Sequence, residues 1–169
     1  MTEIGKYAFY SLDNLIQVQL PESLTTIYAY AFENCGVLTA VDIPENVKSI
    51  GTYGFAYCPG LTQVSIPEGM TNIGEYAFRG CTALTEMTIP EGIRKIESSA
   101  FYECVSLTLT YKGAVRDWVT KCVSVYRTIC SDMLVESWGT CGSNLRWTLD
   151  DKGTLTVYGT GALRFLQQQ

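Results

Sequence analysis

Five phenylalanines recur every 23 residues through the first part of the chain. They are Phe9, Phe32, Phe55, Phe78 and Phe101. A fixed period of this length indicates that each unit forms one coil, which cannot bury its own apolar side chains and must stack on neighbouring coils. The period therefore predicts a solenoid, a fold that displays its function on a surface.

Other landmarks keep the same phase within each unit. In the third unit Leu61 opens the repeat, Val64 and Ile66 alternate with polar residues, and Pro67 follows directly. The alternation has the period of a strand with one buried face, and the proline cannot extend a central ladder. The pattern predicts one short parallel strand of about six residues in each coil.

The opposite wall of each coil carries a Tyr-Ala-Phe segment, such as Tyr76 to Phe78 between Gly74 and Cys81. This segment is too short for a free-standing helix, so we expect a tight helical or 3₁₀ turn that sends Ala and Phe inward. Its tyrosines form a column that ends at a serine: Tyr7, Tyr30, Tyr53, Tyr76 and then Ser99. We expect these rings to stack between coils; the other interpretation is a grip on a sugar or a protein.

The unit IPEGMTNIGEYAFRGCTALTEMTIP, residues 66 to 90, resembles the leucine-rich repeat of the BspA-like bacterial surface proteins, also called the Treponema pallidum type. The resemblance covers residues 1 to about 112. It implies a right-handed α/β solenoid of about five 23-residue coils, the first incomplete. It also implies adhesion to a protein or glycan on host or microbial surfaces, and an extracellular or cell-surface location.

The residues after the array predict a separate C-terminal part. Tyr111 to Gly113 with Asp117-Trp118 resemble the closing segment of such arrays, and residues 139–163 resemble the small β module that separates arrays in surface proteins of gut Firmicutes. We therefore divide the chain into an array (1–112), a closing helical segment (113–134) and a small, truncated β-hairpin module (135–169).

Local patterns support this division. Gly113 to Cys122 carries four apolar residues on one face at helical spacing, which predicts a short helix over the end of the array. Residues 145–149 and 154–158 alternate with period two across the turn residues 150–153, which predicts a β-hairpin.

The array is acidic. Residues 1–106 contain 5 Lys/Arg and 12 Asp/Glu, a net charge of −7, whereas residues 107–169 contain 7 and 5, a net charge of +2, so the whole chain carries −5. Nucleic acids and anionic membranes need a basic surface, so we expect neither as a partner.

No run of 18 apolar residues occurs, so no transmembrane segment is expected. Ile4-Gly5 is already in phase with the repeat, so we expect no signal peptide and interpret the chain as a fragment.

Catalytic and metal-binding patterns are missing from the sequence. The chain contains no histidine, so a Ser-His-Asp or Cys-His arrangement cannot form, and no Cys-x-x-Cys pair suggests a zinc site. Carboxylates recur after the prolines at Glu22, Glu45, Glu68 and Glu91. We interpret them as solvated turn residues, because a general acid needs a desolvated pocket. We therefore expect no enzyme activity and no cofactor.

Four of the seven cysteines keep the 23-residue period: Cys35, Cys58, Cys81 and Cys104. We interpret them as a row of small buried thiols. Neighbouring coils lie about 4.8 Å apart, so one or two disulfides between coils are the alternative. Cys122, Cys130 and Cys141 lie outside the array and leave room for one disulfide with an odd thiol.

The outward positions of the predicted strands are the candidate binding surface. They vary from coil to coil on a constant frame, as expected of a solenoid that recognises a partner. These positions are Gln17, Gln19, Ala40, Asp42, Gln63, Ser65, Glu86 and Thr88. Two other functions remain open, an architectural spacer without a ligand and a glycan-binding accessory module, and the sequence leaves the oligomeric state open as well.

Overall fold

The computed structural model of the chain describes residues 1–97, 99–113, 138–141, 145–149 and 155–159, the last three ranges as backbone strands. Within these ranges the chain forms short β-strands and no helix. The strands are β1 (Glu3–Ile4), β2 (Thr26–Ile27), β3 (Ala40–Asp42), β4 (Ser49–Ile50), β5 (Gln63–Ser65), β6 (Asn72–Ile73), β7 (Glu86–Ile89), β8 (Lys95–Ile96), β9 (Thr108–Tyr111), β10 (Trp138–Cys141), β11 (Leu145–Leu149) and β12 (Leu155–Gly159). The array is a parallel β-solenoid with the predicted 23-residue repeat.

One wall of the solenoid is a sheet of two-residue strands in the order β1-β2-β4-β6-β8. Every pairing is parallel and in register, for example Ile27 with Ile50 and Ile50 with Ile73. The second residue of each strand is a buried isoleucine. This sheet was not predicted from the sequence, although the column of isoleucines preceded by polar residues was a usable signal.

The predicted strand of each coil forms a second wall, which we call the sheet face: β3, β5, β7 and β9, with a single bridge from Gln17 to Ala40 in the first coil. These strands contain three or four residues, fewer than the six predicted. They are shorter because turns take up the flanking residues. In the third coil, for example, the N–H of Leu61 donates to the carbonyl of Cys58 before β5, and that of Met70 donates to Pro67 after it.

The last coil is one residue shorter on this wall. Glu86 pairs with Thr108 and Met87 with Leu109, an offset of 22 instead of 23. The shortening is visible in the sequence between Leu107 and Tyr111. It keeps Leu109 and Tyr111 buried in the core.

The C-terminal strands extend the sheet face of the last coils. Antiparallel pairing joins β10 to β11, β11 to β12, and β12 to β9, where Leu155 lies opposite Tyr111. β11 and β12 match the strands expected of the hairpin, but residues 150–154, which join them, lie outside the described residues. The predicted helix after Gly113 also lies outside them, so the helix, the turn and the three-part division of the chain stay predictions.

The wall opposite the sheet face consists of tight turns with an unusual backbone. Tyr53 and Tyr57 both have a φ of 55°. The N–H groups of Tyr53, Phe55 and Tyr57 donate to carbonyls of the next coil at 2.9, 2.7 and 2.6 Å. A helical turn would direct these N–H groups along the same segment. The N–H groups between them, those of Gly54 and Ala56, donate three residues back at 3.0 and 3.2 Å, as in a 3₁₀ turn. The prediction of a helical or 3₁₀ turn is therefore right only in part, because every second N–H group joins the neighbouring coil instead.

The phenylalanine column forms the centre of the core, as predicted. Successive rings stack nearly parallel, with centroids 4.8 Å apart at Phe9–Phe32 and 5.7 Å apart at Phe78–Phe101. Phe32, Phe55 and Phe78 are fully buried. Phe9 is only partly buried, because the first coil has a neighbour on one side only.

Candidate interaction surface

The structure places the predicted sheet-face residues on the outward side of one wall. All are exposed except Ala40, which is half-buried, and they alternate with the buried Val41, Val64 and Met87. The predicted inward and outward sides of the strands are thus confirmed. Their role in binding stays a prediction.

Hydrogen bonds between coils order the polar side chains of this wall. The hydroxyl of Thr62 donates to the carbonyl of Thr39 at 3.1 Å, one coil earlier. Ser65 Oγ donates to Asp42 Oδ1 at 3.4 Å, between residues that are direct partners in the β3–β5 pairing. The second of these bonds links the Asp42 carboxylate to the next coil.

The sheet face is interrupted between the third and fourth coils. β3 pairs with β5 and β7 pairs with β9, but β5 and β7 belong to different sheets. On the other wall β6 and β8 remain paired. The ladder of the described coils is therefore interrupted on the sheet face alone, and β5 and β7 remain neighbours there.

A groove of about 420 Å³ lies over this interruption. It brings together five of the eight predicted residues, namely Asp42, Gln63, Ser65, Glu86 and Thr88. The rest of its lining consists of Thr62, Val64, Ile66, Glu68, Thr85, Met87, Pro90 and Lys112. Gln19 borders a separate depression of about 330 Å³ together with Asp42. Gln17 and Ala40 line neither.

Lys112 belongs to this surface, although it was not among the residues predicted from the sequence. Its Nζ donates to Glu68 Oε1 at 2.5 Å, which joins the fifth coil to the third. Its backbone N–H donates to the carbonyl of Ile89, which places Lys112 level with Pro90 of the coil before. The signal was the shortened last strand, which moves Lys112 to this position.

The glutamates that follow the prolines are exposed, as predicted for solvated turn residues. Glu22 and Glu45 border the smaller depression, and Glu68 borders the groove. Each remains in contact with solvent, so the structure offers none of the desolvation that a general acid requires.

The tyrosine column forms the predicted stack on the opposite wall. Ring centroids lie 4.8 Å apart for Tyr7–Tyr30, 5.3 Å for Tyr30–Tyr53 and 4.9 Å for Tyr53–Tyr76. Each ring covers a face of its neighbour. Only Tyr7, at the end of the stack, is more than half exposed. The arrangement leaves little ring face for a ligand along the middle of the column.

Arg79 closes the other end of this stack. Its guanidinium lies over the rings of Tyr57, Tyr76 and Tyr102, 5.1 to 5.5 Å from their centroids. Its Nε also contacts Glu103 Oε2 at 3.2 Å. The cation is held by the protein's own rings and carboxylate, so this aromatic cluster is occupied.

The four cysteines of the column are free and buried, as predicted. Each Sγ donates to the carbonyl of a phenylalanine 26 residues earlier, at 2.9 to 3.1 Å. The hydrogen bond with Cys35, together with burial, raises the pKa of the Cys58 thiol. The hydrogen bond with Cys104, together with burial, raises the pKa of Cys81. The same hydrogen bond with Cys58 lowers the pKa of Cys35 to about 7. Cys58 and Cys81 are therefore protonated thiols in the middle of a packed row.

The remaining cysteines are not described as side chains. Cys122 and Cys130 lie outside the described residues, and Cys141 is described only as backbone of β10. The described residues therefore do not test whether these cysteines hold the one disulfide that the sequence leaves room for.

Two further properties concern the described part of the chain. Its His, Cys, Asp and Glu side chains form no group of three or more that is suited to a metal ion. Across the same ranges, no helix has the length and apolar character needed to cross a membrane.

Comparisons with known proteins agree with this architecture. The model of the BspA type leucine rich repeat region matches residues 2–122 in 6 copies. Among curated proteins, none matches the chain significantly.

Several solved structures are similar to the array. A T. pallidum leucine-rich repeat protein is 30% identical with a TM-score of 0.53, over 54% of this chain and 45% of that one. A leucine-rich repeat protein from Bacteroides ovatus is 27% identical with a TM-score of 0.52, over 66% and 34%. A leucine-rich cell surface protein from Faecalibacterium prausnitzii is 30% identical with a TM-score of 0.50, over 63% and 35%.

In each case the matched region spans less than half of the solved protein's length. The similarity therefore concerns the repeat array and its fold. With its 23-residue coils, its column of stacked phenylalanines and a family match over most of its length, the chain belongs to the BspA-type leucine-rich repeat family.

Proposed function

We propose that the chain is a protein-binding module of a bacterial cell-surface or secreted protein, and that it recognises its partner through the sheet face. The observation that carries this proposal is the groove between β5 and β7, which collects five variable, exposed positions of three successive coils. A concave surface with polar groups around an apolar floor is typical of a binding site. Here the floor includes Val64 and Met87.

The tyrosine stack is less suited to recognition. Its ring faces are covered by one another and by Arg79, and the same residue recurs in four coils. A repeated residue specifies the stacking of coils, whereas the changing sheet-face residues can specify a partner. The similarity to a cell surface protein of F. prausnitzii supports the proposed location.

The proposal can be tested on an array of extracellular-matrix proteins and glycans. We expect binding to at least one protein, and the double variant Gln63→Arg/Glu86→Arg should weaken it at least about tenfold, or about 1.4 kcal/mol. Asn14→Arg/Glu75→Arg is the matched control, because it changes the net charge equally at exposed positions outside the groove. It should bind like the wild type.

Three other results would contradict the proposal. Binding to no member of the array favours the architectural spacer. Equal loss in both double variants shows that charge alone, and not the groove, governs binding. Loss of glycan binding in Tyr53→Ala/Tyr76→Ala, in a protein that still melts normally, favours the glycan-binding module.

A further inference from the structure

The groove on the sheet face lies where the ladder between β5 and β7 is missing, and its lining has an excess of negative charge. Its lining holds three carboxylates, Asp42, Glu68 and Glu86, and one ammonium group, Lys112, which gives a net charge of −2. Lys112 is paired with Glu68. None of the ion pairs among the described residues involves Asp42 or Glu86.

These two carboxylates lie on opposite sides of the interruption at different levels of the strands, because Asp42 is in phase with Ser65 and Glu86 is in phase with Gln63. Asp42 lies on β3, level with Ser65 of β5, whose hydroxyl donates to it. Glu86 lies at the start of β7. A concave site lined by charges of one sign focuses the electrostatic field. It therefore attracts a cation more strongly than the same charges scattered over a flat surface.

The interruption adds backbone groups to the site. The facing edges of β5 and β7 do not serve each other as ladder partners. Their N–H and C=O groups therefore have no ladder partner across the groove, although β5 and β7 remain neighbours. A planar guanidinium with five donors suits a site that combines carboxylates with carbonyl oxygens.

The same lining argues against a sugar at this place. Rings that stack on a sugar are a common element of glycan sites, and the lining of the groove contains no aromatic residue. Hydroxyls and amides from Thr62, Gln63, Ser65 and Thr88 instead surround the carboxylates. Such side chains match the alternating polar groups of an extended peptide.

We propose that the groove between β5 and β7 binds an extended, arginine-bearing segment of a partner protein, with a guanidinium held between Asp42 and Glu86. This inference rests on the proposed function, because it names the partner class of the same surface. It predicts that the charge of the two carboxylates is needed for binding in addition to the open space of the groove.

The test uses immobilised short peptides in three matched sets, identical except that two positions are Arg, Gln or Glu. Wild type is compared with Ser65→Trp, which fills the groove at constant charge, and with Asp42→Asn/Glu86→Gln, which removes two charges at nearly constant shape. Asp13→Asn/Glu75→Gln is the matched control, because it removes two charges at exposed positions outside the groove.

We expect wild type to bind the Arg set, and both groove variants to lose at least about tenfold in affinity. The matched control should stay within about twofold, because charges distant from the groove are screened by salt. Circular dichroism melting of each variant confirms that the array is folded.

The other outcomes separate this inference from the function on which it rests. If wild type binds the Gln or Glu peptides and Ser65→Trp abolishes that binding, the partner is not cationic, but the sheet face is still the binding surface. If all variants bind the Arg peptides as wild type does, the guanidinium site is refuted. The same holds if the matched control loses as much affinity as the groove variants. If Ser65→Trp changes the binding of no set, the sheet face itself is refuted as the interaction surface.

Discussion

At the scale of single residues, the repeat places ordinary side chains in a left-handed backbone conformation. Two columns have positive φ: Tyr7, Tyr30, Tyr53, Tyr76 and Ser99 form one, and Ser11, Asn34, Tyr57, Gly80 and Glu103 form the other. This conformation is unfavourable for residues with a Cβ atom. Ring stacking and hydrogen bonds between coils offset its cost.

Gly80 is the residue best suited to the second column. It has a φ of +71°, and a Cβ atom there would lie 3.0 Å from a ring carbon of Tyr57. Gly80→Ala should therefore lower the free energy of unfolding by about 1–2 kcal/mol. Urea unfolding measures the change. Gly36→Ala is the control, because an added Cβ meets nothing within 4 Å, and an equal loss there would contradict the argument from φ.

The core and the surface of a coil should respond differently to truncation of a side chain. Phe55 is fully buried between Phe32 and Phe78. Phe55→Ala should destabilise the array by about 3–5 kcal/mol, because the stacked coils cannot easily close the cavity. Gln63→Ala, at an exposed position, should cost well under about 1 kcal/mol. If thermal or urea unfolding shows that both variants lose the same stability, the assignment of Phe55 to the inward side and Gln63 to the outward side is refuted.

At the scale of elements, coil-to-coil contacts of three kinds hold the walls and the interior of the solenoid together. Two walls have parallel ladders, the turn wall has N–H groups donating to the next coil, and the interior has rings and thiols stacked in columns. Only the sheet face has a break in its ladder within the described array. The other walls hold the third and fourth coils together, so the break creates a groove without dividing the array.

The buried thiols should make stability depend on alkaline pH. In the folded state the pKa of Cys58 and Cys81 is raised, by hydrogen bonds to neighbouring thiols and by burial. In the unfolded chain the pKa of a cysteine thiol is about 8.5. Above that pH unfolding releases protons, so the free energy of unfolding should fall, by up to about 1.4 kcal/mol per pH unit for each thiol.

Urea unfolding at pH values from 7 to 9.5 measures this slope. Cys58 and Cys81 should contribute no slope below about pH 8, where both states hold their protons. The pKa of Cys35, lowered to about 7 by its hydrogen bond with Cys58, should make stability rise between about pH 7 and 8.5. Cys58→Ala/Cys81→Ala should flatten the decline, even though it lowers stability overall. An unchanged slope in the double variant would assign the decline to other groups.

The thiols should also resist modification in the folded protein. A thiol reagent should label the column cysteines slowly before denaturation and completely after it, without a reducing agent, because they are buried and free. Mass spectrometry checks the alternative. A bridge between Cys35 and Cys58, or between Cys81 and Cys104, would refute the packed-thiol interpretation and indicate an oxidising compartment.

At the scale of the whole molecule, the two ends of the solenoid differ. At the C-terminal end, β12 pairs antiparallel with β9 and covers its free edge. At the other end β1 has a single neighbour, and exposed large apolar side chains are concentrated in the first coil, including Tyr7, Leu12 and Ile16. Terminal coverage matters in such folds, because each coil is stabilised mainly by its neighbours.

Removing residues 114–169 should therefore destabilise the last coils. The truncation leaves the edge of β9 unpaired, and free strand edges favour association. We expect a lower melting temperature and a shift toward larger species in size-exclusion chromatography. Val157→Pro in the full chain should act in the same direction, because β12 lies between β11 and β9 and proline cannot donate to the ladder. A truncated protein that stays monomeric and melts like the full chain would refute this role.

The sequence by itself determined the period, the inward columns and the outward positions. Phe55, Cys58 and Val64 are buried and Gln63 is exposed, as their places in the repeat predict. These features follow from local alternation and from the need of each coil to bury one face on the next. The isoleucine sheet was predictable in the same way, since Ile27, Ile50 and Ile73 keep the period.

Only the tertiary structure decided the backbone of the turn wall and the shape of the sheet face. Whether Tyr53 adopts a helical or a left-handed φ depends on which coil receives its N–H, and that choice is made between residues 22 positions apart. The break between β5 and β7, and the pairing of Lys112 with Glu68 across 44 residues, depend on the spacing of coils in space. A repeat that looks the same in every coil does not encode such differences locally, because they arise from how several coils stack together.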